Sequence, residues 1–243
     1  MEALRSELAP TGRLRAAINL SNFLLVTGRG PAGEPEGVSP DVARRIAREL
    51  GVEVELVAFD GPGEIADAAG DDVWDIANIA AEPERARTIA FGPPYCEIQA
   101  TYLLPAGSAL TDPEAVDSPG TRVAVKARAA YALWLGEHLR DATLLEAPSH
   151  EAAFARFVDE GLDALAGLRP KLLEYRDSLP GARVLDEPFT AVRQSIGCRP
   201  DRPRAARFLA DFVERAVADG TIAALIERHG VTGRLSVARA GEA

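Results

Sequence analysis

The stretch that decides the fold is DIANIAAEPERARTIAFGPPY, which runs from Asp75 to Tyr95. It opens with a short apolar run, Ile76 to Ala81, whose length suits a buried strand better than a helix. Pro83 follows at a position where the first turn of a helix tolerates a missing N–H. Arg85 therefore lies just past the carboxyl end of a strand, where open α/β sheets bind ligands, and its guanidinium suits a carboxylate. The closing residues 91–95, Phe-Gly-Pro-Pro-Tyr, predict a rigid turn.

Outward from this stretch, the sequence alternates between strand patterns and helix patterns. Leu14 to Leu20 is an apolar run that predicts a first strand. Val42, Ile46 and Leu50 recur at four-residue spacing, which predicts an amphipathic helix, and Val52 to Phe59 then alternates as a strand. The order β-α-β-α-β predicts a parallel sheet with right-handed crossovers.

The same stretch resembles the signature of the family 3 extracellular solute-binding proteins, the amino-acid-binding type of bacterial periplasmic receptor. The resemblance rests on the spacing from Asp75 through Arg85 to Phe91 and Pro94-Tyr95, and on further landmarks that follow in the expected order between Leu14 and Gly230. These landmarks are Gly37 to Ala43, Ile46-Ala47, Leu50-Gly51-Val52, Gly161 to Ala164 and Asp219 to Ile222.

The resemblance implies an α/β protein with the two-lobed type II periplasmic-binding-protein fold. This fold has two mixed sheets flanked by helices and two crossover strands between the lobes. The expected first lobe is residues 1–97 with the return segment 193–243, and the second lobe is residues 98–192. A single doubly wound sheet without a cleft is the alternative, but it leaves the long extended runs near 96–100 and 190–197 unexplained.

In the first lobe, the resemblance gives Arg85 the task of pairing with the α-carboxylate of a ligand. The alternative is a surface Arg that pairs with Glu82 or Glu84. Asn78 and Ala80 fall where the family contacts its ligand, although this chain is two residues shorter than the common pattern just before Arg85.

Three more residues of the first lobe are candidate contacts. Asn22 can donate and accept hydrogen bonds, and Phe23 offers a flat apolar face in the loop after the first strand. An ordinary core position is the alternative for Phe23. Gln194 is a candidate on the returning strand.

The second lobe departs from the family pattern at the segment Lys126-Ala127-Arg128-Ala129-Ala130-Tyr131. The family has a Gly followed by Ser or Thr there, but Arg128 occupies the Gly position and Ala129 has no hydroxyl. Either cations replace the hydroxyls, with Tyr131 nearby, or this half of the site is degraded.

A second departure concerns charge. Beyond Asp163, where amino-acid binders carry an Asp that pairs with the ligand's ammonium group, this chain reads Gly167-Leu168-Arg169. Replacing an anion by a cation reverses the preference from ammonium toward an acid. We therefore expect an organic acid, with two acidic groups fitting best, although Arg169 could instead face solvent before Pro170.

Composition excludes several classes of function. The 243 residues carry a net charge of -10, which disfavours nucleic acid and anionic membranes as partners. The three histidines are scattered and expected on the surface, and the sequence has no phosphate loop, nucleophile elbow or set of metal ligands. We expect no cofactor and no metal. Cys96 and Cys198 are interpreted as two buried thiols; in the resembled fold a bridge between them is the alternative.

The sequence therefore predicts a protein that closes around a small anionic metabolite, an organic acid or amino-acid-like ligand, without catalysis. A cyclohexadienyl or prephenate dehydratase-like enzyme is the first alternative, and a sensor with a degenerate pocket is the second. The resemblance implies a periplasmic monomer that serves the membrane subunits of an ABC transporter. Residues 1–10 contain no apolar segment of a signal peptide, so a cytoplasmic relative is favoured if Met1 is the native start.

Overall fold

The computed structural model describes residues 1–238, in which helices and strands alternate along most of the chain. The α-helices are α1 (Glu2–Leu8), α2 (Val38–Leu50), α3 (Pro62–Asp67), α4 (Pro113–Val116), α5 (Ala130–His138), α6 (His150–Asp159), α7 (Arg169–Arg176), α8 (Pro203–Ala218) and α9 (Thr221–Arg228). The strands are β1 (Arg13–Asn19), β2 (Gly28–Arg29), β3 (Pro35–Glu36), β4 (Glu53–Phe59), β5 (Ile76–Ala80), β6 (Ala90–Leu104), β7 (Arg122–Lys126), β8 (Thr143–Ala147), β9 (Ala164–Leu168), β10 (Arg183–Val184), β11 (Thr190–Cys198) and β12 (Ser236–Val237). Short 3₁₀ helices span Ala68–Gly70 and Arg85–Arg87.

The chain forms two compact units. Unit 1 contains residues 1–97 and the chain from Arg193 onward, and unit 2 contains Ile98–Val192. Strands β6 and β11 each contribute residues to both units.

Unit 1 is built on parallel pairing around β1. Strand β1 pairs in parallel with β4 and with β5, where Ile18 lies opposite Asn78, and β11 pairs with β5 in the antiparallel direction. Helix α2 buries eight of its residues and ends at Gly51, whose φ of 66° gives the left-handed conformation that a helix end favours. The parallel β-α-β order predicted for this region is thus present, and the antiparallel β11 makes the sheet mixed.

Unit 2 repeats this arrangement with different strands. Strand β7 pairs in parallel with both β8 and β9, and β9 pairs with β6 in the antiparallel direction, where Tyr102 lies opposite Ala166. Its core is apolar and includes Leu103, Phe157 and Leu172, all at most 3% exposed. The parallel strands β7, β8 and β9 are followed by α5, α6 and α7, so these helices begin near the same edge of the sheet.

The turn predicted for 91–95 was wrong, because these residues belong to the long strand β6. Proline fixes φ near the extended range and forces the residue before it into an extended conformation. The consecutive prolines Pro93 and Pro94 therefore stiffen an extended segment here instead of reversing the chain.

Both cysteines, Cys96 and Cys198, are free and buried, which confirms the interpretation as two buried thiols. Burial raises the pKa of Cys198 to about 11, so this thiol stays protonated at neutral pH. Within residues 1–238, no helix combines the length and apolar character that crossing a membrane requires.

Candidate functional site

The side chain of Arg85 is buried at the carboxyl end of β5. It lies in the 3₁₀ helix Arg85–Arg87, five residues after the last residue of β5, and is 4% exposed. Its Nη1 donates a hydrogen bond to the carbonyl oxygen of Ala80 at 3.0 Å. The residue fixes its guanidinium against the end of the strand and does not extend into bulk water.

Three other candidates lie close to this point on β5 and β11. Gln194 lies directly opposite Ala80, and Ile196 lies opposite Asn78. Because side chains alternate along strands, Asn78, Ala80 and Gln194 lie on one face of the sheet. All are at most 4% exposed. The structure therefore brings four of the predicted residues together in unit 1.

The amide of Asn78 is the unusual group in this set. It is 1% exposed, and neither its nitrogen nor its oxygen finds a hydrogen-bond partner within residues 1–238. A buried amide without partners is destabilising. A water or a polar ligand group is needed to complete its hydrogen bonds.

Asn22 and Phe23 follow β1, whose carboxyl end lies at the same edge of the parallel sheet as that of β5. The side-chain oxygen of Asn22 accepts hydrogen bonds from the backbone N–H groups of Leu24 and Leu25, at 3.2 and 3.3 Å. Asn22 therefore shapes the loop, and Phe23 is partly exposed on it.

In unit 2, the loop between β7 and α5 holds three candidates. Arg128 is exposed and has a φ of 59°, a left-handed conformation that is uncommon for residues other than glycine. Ala129 is buried and immediately precedes α5. Tyr131 is 2% exposed, its hydroxyl lies 3.3 Å from Nδ1 of His150, and burial raises its pKa. The backbone at Arg128 thus has a conformation that glycine adopts more readily than other residues.

Arg169 begins α7 and is held by protein acceptors. Its Nε donates to the side-chain oxygen of Gln99 at 2.6 Å, and its terminal nitrogens donate to the carbonyl oxygens of Leu185 and Asp186 at 2.9 and 2.6 Å. The side chain joins β6, α7 and the segment after β10 within unit 2. The alternative interpretation, in which Arg169 only faces solvent, is therefore wrong.

His229, expected on the surface, is partly buried. Its side chain is 14% exposed, and its Nε2 lies 2.9 Å from Oδ2 of Asp41. Burial opposes ionisation of Asp41, but hydrogen bonds from His229 and Arg44 outweigh it and lower the pKa of this carboxyl. The pair links α2 to the end of α9.

Sequence reasoning missed an ion network around Asp75, the residue before β5. Asp75 is fully buried, and its carboxylate pairs with Arg15 at 2.9 Å and Arg202 at 3.0 Å. The hydrogen bond to Asp75 raises the pKa of Arg15. These partners lie 60 and 127 residues away in the sequence, so no local pattern could reveal them.

Comparison with known proteins places this geometry in a family. Residues 24–232 match the family of bacterial extracellular solute-binding proteins, family 3. No curated protein matches the sequence.

Solved structures show the same fold. The chain is similar to an ancestral amino acid-binding protein described as a precursor of cyclohexadienyl dehydratase, with 25% identity and a TM-score of 0.73 over 92% of this chain and 97% of that one. It also resembles an amino acid ABC transporter substrate-binding protein from Streptococcus pneumoniae bound to L-arginine, with 18% identity, a TM-score of 0.72 and coverage of 94% and 97%. An ancestral arginine-binding protein bound to glutamine has 21% identity, a TM-score of 0.71 and coverage of 90% and 98%.

These matches confirm the predicted two-lobed α/β fold and the predicted solute-binding function. With the match covering most of the described residues, this chain belongs to family 3 of the bacterial extracellular solute-binding proteins.

Proposed function

We propose that this solute-binding protein holds its ligand through a carboxylate that pairs with the guanidinium of Arg85. The observation that carries the proposal is the burial of Arg85, 4% exposed, against the carbonyl oxygen of Ala80. The carbonyl fixes the orientation of the side chain at the end of β5. A guanidinium carries five N–H donors, so it can bind a carboxylate in bidentate fashion, and such a pair contributes about 1.5–3 kcal/mol net.

The neighbouring polar groups of unit 1 complete this part of the site. The amide of Asn78 has no partner within residues 1–238, and Gln194 shares its face of the sheet with Ala80. Both amides can donate to a carboxylate oxygen and accept from a ligand hydroxyl. Asn22 would bind from the loop after β1, and Phe23 would cover an apolar part of the ligand.

In unit 2, the proposed contacts are Arg128, Ala129, Tyr131 and Arg169. Two of these are cations, and residue 169 supplies no carboxylate to receive an ammonium group. Arg169 is already engaged with three protein acceptors, so its charge would act on the ligand chiefly through the local potential. An organic acid with two acidic groups therefore fits better than an α-amino acid.

A calorimetric titration with matched pairs tests this ligand class. Glutarate and glutamate share a carbon chain and differ by the α-amino group, so their comparison isolates the contribution of the ammonium. We expect the protein to bind glutarate at least about tenfold more tightly, because a desolvated ammonium without an anionic partner is unfavourable. Arginine and glutamine, the ligands of two structural neighbours, serve as further competitors.

If a simple amino acid bound tightly and the dicarboxylates gave no binding signal, the proposed preference for acids would be refuted. Failure of every metabolite in the panel to bind would support the degenerate sensor instead.

Binding is favoured over dehydratase chemistry for this chain. The neighbour described as a precursor of cyclohexadienyl dehydratase is itself described as an amino acid-binding protein. Lys126 and Lys171 are the chain's two lysines, and both lie in unit 2. If the wild-type protein turned over prephenate and substitution of either lysine abolished this turnover, the result would support the enzyme instead.

The partner that we propose for the ligand-bound protein is the membrane part of an ABC transporter. The protein would deliver its ligand there as a monomer, outside the cytoplasm. The family's description as extracellular and the transporter association of the Streptococcus pneumoniae neighbour support this assignment.

A further inference from the structure

Unit 2 contains a surface cavity of about 320 Å³ that none of the candidate ligand residues lines. It lies among the end of α6, the residues before β9 and the segment before β10. Leu162 and Asp163 precede β9, whereas Arg169 follows this strand, so the cavity is at the other end of β9 from Arg169. Its volume is at the lower end of the range typical of pockets for small molecules, about 300–1,000 Å³.

The floor of this cavity is apolar. Phe157 and Leu162 are 3% and 1% exposed, and Leu179 and Pro180 also line the cavity. At the mouth, Val158 is 45% exposed and extends the apolar surface of the cavity toward solvent. An apolar group that entered the cavity would be desolvated against an aromatic ring and a leucine.

The charged group at the mouth is Asp163, whose side chain is 42% exposed. Its Oδ2 accepts the backbone N–H of Arg122 at 2.8 Å and lies 3.5 Å from Nε of the same residue. Both contacts use Oδ2, so Oδ1 is left for a further donor. Asp159 is exposed nearby in sequence, whereas the carboxylate of Glu160 pairs with Nε of Arg156 at 2.8 Å, and the whole chain carries a net charge of -10. The Oδ1 atom of Asp163 and the net charge of the whole chain favour a cation.

We propose that this cavity binds a small organic cation with an apolar body. The apolar body packs against Phe157 and Leu162, and the ammonium group lies at the carboxylate of Asp163. This site goes beyond the acid-binding function proposed above, because it selects the opposite charge and uses other residues of unit 2.

The test is a methyl NMR titration of the full chain with phenethylamine, which is a cation at neutral pH. Phenethyl alcohol and 3-phenylpropionate provide the neutral and anionic counterparts of the same ring. We expect saturable shifts at the methyl groups of Val158, Leu162 and Leu179, with binding of the amine about two- to fivefold tighter than that of the alcohol. The acid should bind most weakly. Equal binding of amine and alcohol, or shifts confined to other methyl groups, would overturn the proposal.

Two neighbouring aspartates provide a matched pair of variants. Asp163→Asn removes the charge at the mouth but keeps an oxygen that can accept from Arg122, whereas Asp159→Asn removes an equal charge from a residue that does not line the cavity. We expect the first variant to abolish the advantage of the amine over the alcohol and the second to preserve it. Equal effects of both variants would show a general attraction by the acidic surface and contradict the proposed site.

Apolar contact at the mouth is tested in the same way. Val158→Ser should weaken amine binding about threefold, because it removes apolar surface from the bound ring. Val73→Ser, at a valine of unit 1 that is 40% exposed, is the control and should change nothing. Thermal melts check that each variant is folded, and unchanged affinity in a folded Val158→Ser would count against the cavity.

Discussion

At the scale of the residue, the carboxylate of Asp75 shows how buried charge is stabilised in unit 1. Arg15 and Arg202 donate four hydrogen bonds to it, at 2.9 to 3.0 Å. One of these donors is the backbone N–H of Arg15 in β1, so the carboxylate links β1 to the start of β5. Removing the charge of one member of such a group leaves the other buried charges less well compensated.

We expect Asp75→Asn to lower the free energy of unfolding by about 3 kcal/mol, because two largely buried guanidinium groups lose their fully buried anion and retain the exposed carboxylate of Asp72. Urea denaturation measures this change through the shift of the midpoint. Asp201→Asn is the control, since Asp201 pairs with Arg199 and its side chain is 65% exposed. That control should stay within about 0.5 kcal/mol of wild type, and equal losses in both variants would disprove the role of Asp75.

Residue identity and position predicted part of the candidate site. Arg85 was expected at the end of a strand, and it is buried there. The acceptors of Arg169 could not be predicted, because Gln99 lies 70 residues earlier and reaches it only through the pairing of β6 with β9. The amide of Asn78 has no hydrogen-bond partner within residues 1–238, and the sequence could not predict this because it depends on what surrounds β5 in three dimensions.

At the scale of the element, the strands and helices follow from short-range patterns. The helix expected from Val42, Ile46 and Leu50 is α2, and all three of these residues are fully buried. The error at 91–95 arose because prolines suit both turns and extended segments, and only pairing decides between them. Register and strand order involve contacts between distant residues, which local periodicity does not contain.

Gly37 provides a test of how α2 begins. Its φ is 150°, and a β-carbon at this position would overlap the carbonyl oxygen of Leu25. We expect Gly37→Ala to destabilise the protein by about 2 kcal/mol or more, because the backbone must shift at the start of the helix.

The matched control is Gly28→Ala in β2, where a β-carbon would meet nothing within 4 Å. That variant should stay within about 0.5 kcal/mol of wild type. Calorimetric melting of both variants makes the comparison, and a Gly37→Ala protein as stable as the Gly28→Ala protein would contradict the expected overlap.

At the scale of the whole molecule, one unit is continuous in sequence and the other is assembled from two segments. Unit 2 uses Ile98–Val192, whereas unit 1 combines the first 97 residues with the chain from Arg193 onward. The order of patterns along the chain was sufficient to predict the family, and the match over residues 24–232 confirms it. The chemical class of the ligand that we propose depends on a few side chains, among them Arg128 and Arg169.

The most direct test of the central claim is isothermal titration of Arg85→Gln with glutarate, alongside the wild type and Arg87→Gln. Both substitutions remove one positive charge from the same 3₁₀ helix, but Arg85 is buried and Arg87 is exposed. We predict that Arg85→Gln weakens binding about ten- to a hundredfold, while Arg87→Gln binds within about twofold of wild type. A folded Arg85→Gln protein that binds glutarate as tightly as the wild type would contradict the account.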